Sequence, residues 1–280
     1  MNDREIERTF WAGRVRDNLT KLHEARPLIH NITNFVVMNS TANMLLAAGA
    51  SPVMAHAENE VEEMVSFAGA LVLNIGTLTD DWVDAMVKAG KKATALGVPI
   101  VLDPVGAGAT ALRTQAAQRI LAETRIGVVR GNASEILALA GGAGQTKGVD
   151  AADSVEAAAE QAVSLSARLQ VPVAITGPVD FITDGNRVLR VANGHPLMSS
   201  VTGTGCGASA MIGAFVAVDA EPLAAAATAL SYYGLAGQQA AEGAAGPGSF
   251  AVRFLDSLHG MTEAALLEGC RIEEVGTYHG

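Results

Sequence analysis

Residues 200–209 read Ser-Val-Thr-Gly-Thr-Gly-Cys-Gly-Ala-Ser, a glycine-rich turn that leads directly into a helical pattern of small residues. Glycine has no Cβ, so it lets the backbone turn sharply or approach a ligand closely. The first N–H groups of the following helix have no intrahelical acceptors and lie at the positive end of the helix dipole. The stretch therefore predicts a site for an anion, a phosphate or a carboxylate, with Cys206 on its rim, where the positive helix end favours the thiolate.

The same stretch has an alternative interpretation as a tight connection that only starts a helix. It is not a Walker A sequence, because the Gly-Lys-Ser/Thr ending is missing, and it is not a Gly-x-Gly-x-x-Gly turn after a strand. By itself it indicates an anion site without identifying the ligand.

The composition allows a large core and excludes several classes of protein. Hydrophobic residues make up 49% of the 280 residues and charged residues 17%, which is typical of a folded chain of one large or two smaller domains. The net charge of −10 argues against a nucleic-acid surface, which needs a basic patch. It does not exclude ATP, because Mg²⁺ and helix N-termini supply local positive potential.

The sequence predicts no membrane span and no disulfide scaffold. No run reaches 18 apolar residues, and the charged start has no apolar signal segment, so we expect a cytoplasmic protein. The two cysteines, Cys206 and Cys270, are too few for a zinc cluster or a disulfide framework.

Apolar runs alternate with helical patterns along most of the chain. Residues 70–75, Ala-Leu-Val-Leu-Asn-Ile, predict a strand that is buried on both faces, as in a parallel sheet. Asp184-Gly185-Asn186 between two alternating segments predicts a hairpin. We therefore predict an α/β fold: a mainly parallel central sheet flanked by helices, with a late antiparallel hairpin, in one domain that spans residues 1–280.

The two ends of the chain and one loop are less well defined by the pattern. Residues 4–24 predict an amphipathic helix whose apolar face is formed by Ile6, Phe10, Val15, Leu19 and Leu22. We assign residues 1–20 to this N-terminal helix, residues 141–150 to a glycine-rich loop, and residues 269–280 to a tail without a recognisable signal.

Polar residues fall at the predicted carboxyl ends of the strands, where ligands of such sheets bind. These residues are Asn34, Asp103, Arg130, Glu135 and Thr176. Two carboxylates near a phosphate-binding turn suit Mg²⁺, which is usually held by one or two carboxylates together with water and phosphate oxygens. The alternatives are a helix cap for Asp103 and Asn34, a surface helix position for Glu135, a surface ion pair for Arg130, and a turn-capping hydroxyl for Thr176.

Five motifs, in the same order over residues 20–265, resemble those of hydroxyethylthiazole kinases. They are Pro-Leu-Ile-His-Asn-Ile-Thr-Asn (27–34), Asp-Pro-Val-Gly-Ala-Gly (103–108), Arg-Gly-Asn-Ala-Ser-Glu (130–135), Thr-Gly (176–177) and Val-Thr-Gly-Thr-Gly-Cys (201–206). The cysteine of the last motif is specific, because the wider ribokinase-like superfamily usually has aspartate there.

The resemblance implies a ribokinase-like fold and the ATP-dependent phosphorylation of the primary alcohol of 4-methyl-5-(2-hydroxyethyl)thiazole, a salvage step towards thiamine. It also implies a homotrimer with thiazole sites at the subunit interfaces. Met54 and Gly203 are then expected to contact the thiazole, with Asn34 as a weaker candidate on the substrate side. Cys206 matches the position of the catalytic base. From the sequence alone, a core or interface methionine is the preferred interpretation of Met54.

The resemblance also implies a nucleotide and metal site. Arg130 and Thr176 are expected to hold the phosphates of ATP, together with the glycine turn at Gly205. Asp103 and Glu135 match the acidic positions on the Mg²⁺ side.

Three other functions stay open on the sequence. One is a hydroxymethylpyrimidine kinase or another ribokinase-like vitamin or sugar kinase, and a second is the dehydratase of the same fold that repairs hydrated NAD(P)H. The third is a nucleotide-binding protein without catalysis. Cys206 argues against the first two, whose glycine motif prefers aspartate, and its combination with Asp103 and Glu135 argues against a pure binder, which needs no base.

Overall fold

The computed structural model describes residues 3–141 and 153–277. Residues 142–150 of the predicted glycine-rich loop lie outside the described residues. The helices are α1 (Asp3–Ala25), α2 (Met38–Ala48), α3 (Val61–Val65), α4 (Asp80–Leu96), α5 (Ala111–Glu123), α6 (Ala133–Ala140), α7 (Asp153–Leu169), α8 (Thr204–Val216), α9 (Pro222–Ala241), α10 (Pro247–His259) and α11 (Glu263–Gly269), with a 3₁₀ turn at Pro196–Ser200. The strands are β1 (Leu28–Ile32), β2 (Ser51–Val53), β3 (Ala70–Asn74), β4 (Ile100–Asp103), β5 (Val128–Gly131), β6 (Val173–Ile175), β7 (Asp180–Thr183), β8 (Arg187–Val191) and β9 (Ile272–Thr277).

These strands form one sheet in the order β2-β1-β3-β4-β5-β6-β7-β8-β9. All neighbours from β2 to β6 are parallel, and the pairs β6–β7, β7–β8 and β8–β9 are antiparallel. The mainly parallel sheet and its late hairpin, β7–β8, are confirmed. The sequence pattern missed β9, which lies in the segment assigned to the tail, because Ile272 is the only buried side chain among residues 272–276.

The sheet lies between two helical layers. Every residue of β3 is buried. Val72 belongs to the core on the side of α1, α2 and α8–α11, whereas Leu71 and Leu73 belong to the core on the side of α3–α7. Small residues allow close packing of this kind, and at Gly213 of α8 an added Cβ would lie 2.6 Å from Val72 Cγ2. The abundance of alanine and glycine therefore reflects helices that lie directly on the sheet.

Local capping signals set several helix boundaries. Thr79 Oγ1 accepts a hydrogen bond from Trp82 N at 3.2 Å and starts α4, and Asn132 starts α6 through a capping box with Glu135. Gly49, with φ +97°, ends α2 in the left-handed conformation that favours glycine. The sequence predicts helices over residues 80–96 and 133–140 and a helix that ends at Gly49, and these boundaries are confirmed.

The buried face of α1 differs from the prediction. Val15, Leu19 and Leu22 are buried as expected, but Ile6 and Phe10 are 49% and 58% exposed, and Trp11 is buried in their place. The buried side chains lie at positions 11, 15, 19 and 22, so the face of α1 that packs on the core is the one that carries Trp11. Among residues 3–141 and 153–277, no helix is both long and apolar enough to cross a membrane.

Candidate active site

The candidate site lies at the carboxyl ends of the central strands, opposite the start of α8. Asn74 and Asp103, the last residues of β3 and β4, are Cα partners in the parallel register. Ser209, in the second turn of α8, donates a hydrogen bond to Asp103. The sheet and the glycine-rich turn are thus joined at one carboxylate.

Asp103 is fully buried and asymmetrically bonded. Its Oδ2 accepts hydrogen bonds from Asn74 Nδ2 at 2.7 Å and Ser209 Oγ at 2.8 Å, and lies 3.6 Å from Arg130 Nη1. Its Oδ1 is buried without a hydrogen-bond partner. Burial raises the pKa of Asp103 to about 6, although Arg130 and the two donors oppose this shift. Asp103 is not a helix cap, since Thr110 caps α5, and its free oxygen is available to a ligand.

Arg130 bonds to the other two residues predicted for the nucleotide, Gly205 and Thr176. Its Nη1 donates to Gly205 O at 2.9 Å, and its Nη2 donates to Thr176 Oγ1. Thr176 follows β6, and its N–H donates to Gly131 O at 2.9 Å. A Cβ at Gly205 would lie 3.1 Å from Arg130 Nη1. The guanidinium therefore lies directly against the glycine turn, and it is buried rather than part of a surface ion pair.

Glu135 is buried and holds two backbone segments together. Its Oε2 accepts a hydrogen bond from Asn132 N at 2.8 Å, and its Oε1 accepts one from Gly106 N at 2.8 Å. The first bond belongs to the capping box of α6, and the second fixes the loop that follows Asp103. The charge of Glu135 contributes to the raised pKa of Asp103, so the two carboxyl groups interact.

The glycine turn forms an open helix start. Gly203 is the N-cap of α8 with φ +88°, and an added Cβ would lie 2.9 Å from Val37 Cγ1. Gly207 N donates to Gly203 O at 2.7 Å. The N–H groups of residues 204–206 precede this first bond and have no intrahelical acceptor, which is the arrangement that binds anions.

Cys206 lies in the first turn of α8, within reach of the strand ends. Asn34 Nδ2 donates to Cys206 Sγ at 3.5 Å and to Asn74 Oδ1 at 2.9 Å. Burial, followed by the charge of Asp103, raises the pKa of the Cys206 thiol. Burial thus outweighs the side-chain amide donors and Arg130, which favour the thiolate. The effect of the helix start on this thiol stays a prediction.

Met54 is the predicted site residue that does not join this cluster. It follows β2, the edge strand, which β1 and β3 separate from β4. The Met54 carbonyl oxygen lies 3.1 Å from His56 Nδ1, and the His56 ring stacks on Trp82 with centroids 4.3 Å apart. Phe35 packs on the same Trp82 ring at 4.8 Å and is 59% exposed.

Three residues of the site were not identified from the sequence. Asn74 ends a strand beside Asp103, so the strand-end argument that selected Asp103 could also have selected it. Ser209 lies three residues after Cys206 on α8, a spacing that puts both side chains on one helix face. Asp180 begins β7 and accepts a hydrogen bond from Gly177 N at 3.0 Å, but in the sequence it is one more polar residue of a hairpin.

The chain is similar to known proteins over most of its length. A model of the hydroxyethylthiazole kinase family matches residues 19–264. A hydroxyethylthiazole kinase of Desulfotalea psychrophila is 59% identical over 258 residues, which cover 92% of this chain and 94% of the relative. The solved structure of a hydroxyethylthiazole kinase protein from Pyrococcus horikoshii is 48% identical, with a TM-score of 0.87 over 94% of this chain and 99% of that chain.

A more distant neighbour defines the fold. A ribokinase-like superfamily protein from Enterococcus faecalis has a TM-score of 0.61 at 12% identity, over 82% of this chain and 86% of that chain. At this identity the likeness shows the fold alone, a ribokinase-like α/β sheet. The family model and the relatives of high identity go further, and the chain belongs to the hydroxyethylthiazole kinase family.

Proposed function

We propose that the protein transfers the γ-phosphoryl group of ATP to the primary alcohol of 4-methyl-5-(2-hydroxyethyl)thiazole. One observation carries the proposal: the unpartnered oxygen of Asp103, the Cys206 thiol and the open start of α8 are joined in one hydrogen-bonded cluster. Phosphoryl transfer requires mainly alignment and charge neutralisation, and this cluster provides groups for both. ATP as co-substrate fits a cytoplasmic location.

We assign the phosphates of ATP to the open start of α8, beside the guanidinium of Arg130. The free N–H groups of residues 204–206 stabilise negative charge on the transferred group as an oxyanion hole does. Arg130 is held against the turn by Gly205 O and Thr176 Oγ1, so its guanidinium is fixed before the nucleotide binds. A fixed guanidinium loses less conformational entropy on binding a phosphate than a free one does.

Asp103 fits a divalent cation. Mg²⁺ prefers carboxylate oxygens together with water and phosphate oxygens, and Oδ1 of Asp103 is a buried carboxylate oxygen without a partner. Glu135 fits less directly, because both of its oxygens already accept backbone N–H groups; we assign it to the outer side of the metal site. When bound, Mg²⁺ neutralises charge on the phosphates.

Cys206 receives the proton of the alcohol in this scheme. An alcohol is a far weaker acid than a free thiol, whose pKa is about 8.5, so the thiolate is a poor equilibrium base for it. It accepts the proton late, once the O–P bond has begun to form. Because burial raises the pKa of Cys206, we expect turnover to rise with pH across the neutral range as the thiolate fraction grows.

The position of Met54 supports a shared site in a homotrimer. Met54 lies away from Asp103 in its own chain, and Phe35 and Val36 beside Asn34 are 59% and 72% exposed. Exposed apolar side chains of this size are typical of an interface between subunits. We therefore place the thiazole between Gly203 and Asn34 of one protomer and Met54 of a neighbouring protomer.

The test is ATP consumption with Mg²⁺ and each of three acceptors: the thiazole alcohol, hydroxymethylpyrimidine and hydrated NADH. A phosphate ester formed only from the thiazole supports the proposal. Turnover with the pyrimidine alone would reassign the protein to the sister kinase, and repair of hydrated NADH without ester formation would reject the kinase function. The shared site is tested by dissociating two inactive variants, Met54→Ala and Cys206→Ala, and letting them reassociate together. Recovered activity in the mixture supports a site shared between protomers, and a mixture that stays inactive would refute it.

A further inference from the structure

Asn74 is a buried amide whose orientation is fixed by its partners. Its Oδ1 accepts hydrogen bonds from Asn34 Nδ2 at 2.9 Å and Gly76 N at 3.0 Å. Two donors on this atom identify it as the oxygen, so the Nδ2 group points to Asp103 Oδ2 at 2.7 Å. Only 1% of the residue is exposed, so water cannot replace these bonds.

Asn74 affects the orientation of the Asp103 carboxylate. A carboxylate has two equivalent oxygens, and rotation about its last bond is limited mainly by its partners. Asn74 on β3 and Ser209 on α8 both donate to Oδ2, and Arg130 lies on the same oxygen. Together they leave Oδ1 as the oxygen that meets a ligand.

The same bonds form a closed ring that begins and ends on α8. It runs from Cys206 through Asn34, Asn74 and Asp103 to Ser209, and so crosses the ends of β1, β3 and β4. Asn74 is the central member. Asn34 lies on one side of it, beside the thiol that receives the alcohol proton, and Asp103 on the other side, beside the phosphates.

We propose that Asn74 is a positioning residue for phosphoryl transfer, which sets the direction of the free Asp103 oxygen and of the Asn34 amide at the same time. This inference rests on the proposed function of the site. A residue in this role changes turnover and Mg²⁺ affinity through Asp103, while the contacts of ATP with Arg130 and the glycine turn stay in place.

The test is a double-mutant cycle between Asn74 and Asp103. Asn74→Ala should lower kcat by roughly 10- to 100-fold, the usual effect of removing a partner that orients a ligand, with KM for ATP changed by less than about threefold. The same substitution in an Asp103→Asn protein should lower kcat little further, because the effects of residues that act as one unit are not additive. Full additivity, with the two fold-losses multiplying, would overturn the proposal.

Two further variants separate positioning from folding. Asn74→Asp keeps the shape but replaces the donor with an oxygen that faces Asp103, so we expect a loss at least as large as for Asn74→Ala. Asn31→Ser changes a buried asparagine of the neighbouring strand that bonds to Ile29 O, and should keep kcat within about twofold. If Asn31→Ser lowers kcat as much as Asn74→Asp does, the effect is one of general packing and the proposal fails.

Mg²⁺ binding gives a readout that does not require the thiazole. Calorimetric titration of each protein with Mg²⁺ in the presence of ADP should show an affinity roughly 10-fold lower in Asn74→Ala than in Asn31→Ser. Equal affinities would refute the inference. Failure of the proposed function would look different, because the wild-type protein would then form no thiazole phosphate at all.

Discussion

Asp180 offers a direct test of the electrostatics beside the proposed nucleotide site. The residue begins β7 and is buried, its Oδ1 accepts a hydrogen bond from Gly177 N at 3.0 Å, and the charged group that acts on it is Arg130. Burial raises the pKa of Asp180 to about 7 from the ordinary value of 3.8, because the Gly177 N–H and Arg130 offset only part of the cost of desolvation.

The sign of the effect on stability follows from this shift. The folded protein holds the Asp180 proton more tightly than the unfolded chain does. The stabilisation from this protonation is therefore fully present below about pH 4 and is lost as the pH rises to about 7. A difference of about 3 pKa units corresponds to roughly 4 kcal/mol of unfolding free energy. The entropy of unfolding for a chain of this size is about 0.6 kcal/mol per kelvin, so the loss corresponds to roughly 7 °C in Tm.

Asp180→Asn removes the ionisation and keeps an acceptor for Gly177 N. We expect the Tm of this variant to exceed that of the wild type by up to about 7 °C at pH 8, with the difference shrinking towards pH 4. Thermal unfolding at one protein concentration measures it, because oligomers change Tm with concentration. Asp180→Ala, which loses the acceptor as well, should stay below Asp180→Asn at every pH. A gap between Asp180→Asn and wild type that does not change with pH would refute the reasoning.

Three further predictions concern the glycine turn and its neighbours. Gly207→Ala should destabilise the protein by roughly 1–3 kcal/mol in urea unfolding, because the added Cβ would overlap Tyr233 Oη. The control Gly13→Ala places its Cβ in open space in α1 and should be neutral or stabilising by up to about 1 kcal/mol. Equal effects of the two substitutions would contradict this packing. Cys206→Ser should lower turnover and leave ATP binding nearly intact in calorimetry, and unchanged turnover would make Cys206 a packing residue. Arg130→Lys keeps the charge but loses the planar fork that reaches Gly205 O and Thr176, so KM for ATP should rise by roughly tenfold in initial-rate assays; an unchanged KM would place the phosphates elsewhere.

The sequence predicted best those parts of the fold that depend on local signals. The sequence predicts helices over residues 80–96, 133–140 and 153–169, and these ranges match α4, α6 and α7 to the residue. Thr79 and Asn132 cap the first two helices, and apolar spacing defines the third. The buried face of α1 was wrong at Ile6 and Phe10 because burial there depends on which neighbours lie beneath the helix. β9 was missed for a similar reason: its pairing with β8 is tertiary and leaves little periodicity in the sequence.

In the candidate site as well, some features could be predicted from the sequence and others depend on tertiary contacts. Asp103, Arg130 and Thr176 could be predicted together, since parallel strands end at one edge of the sheet, and Gly205 could be predicted from the glycine-rich turn. Their hydrogen bonds could not, because the register of β3 beside β4 and the rotation of α8 decide which donors reach Asp103. The raised pKa of Cys206 also depends on burial by several elements, which a helix-start argument cannot reveal.

The measurement that tests the central claim most directly follows the alcohol oxygen. The thiazole alcohol is labelled with ¹⁸O, incubated with the protein, ATP and Mg²⁺, and the product is analysed by mass spectrometry. Attack of the alcohol on the γ-phosphorus keeps the C–O bond, so the account predicts a thiazole phosphate that retains the label together with one ADP per ester. Formation of ADP and free phosphate without a labelled ester would contradict it, because the site would then activate water rather than the alcohol.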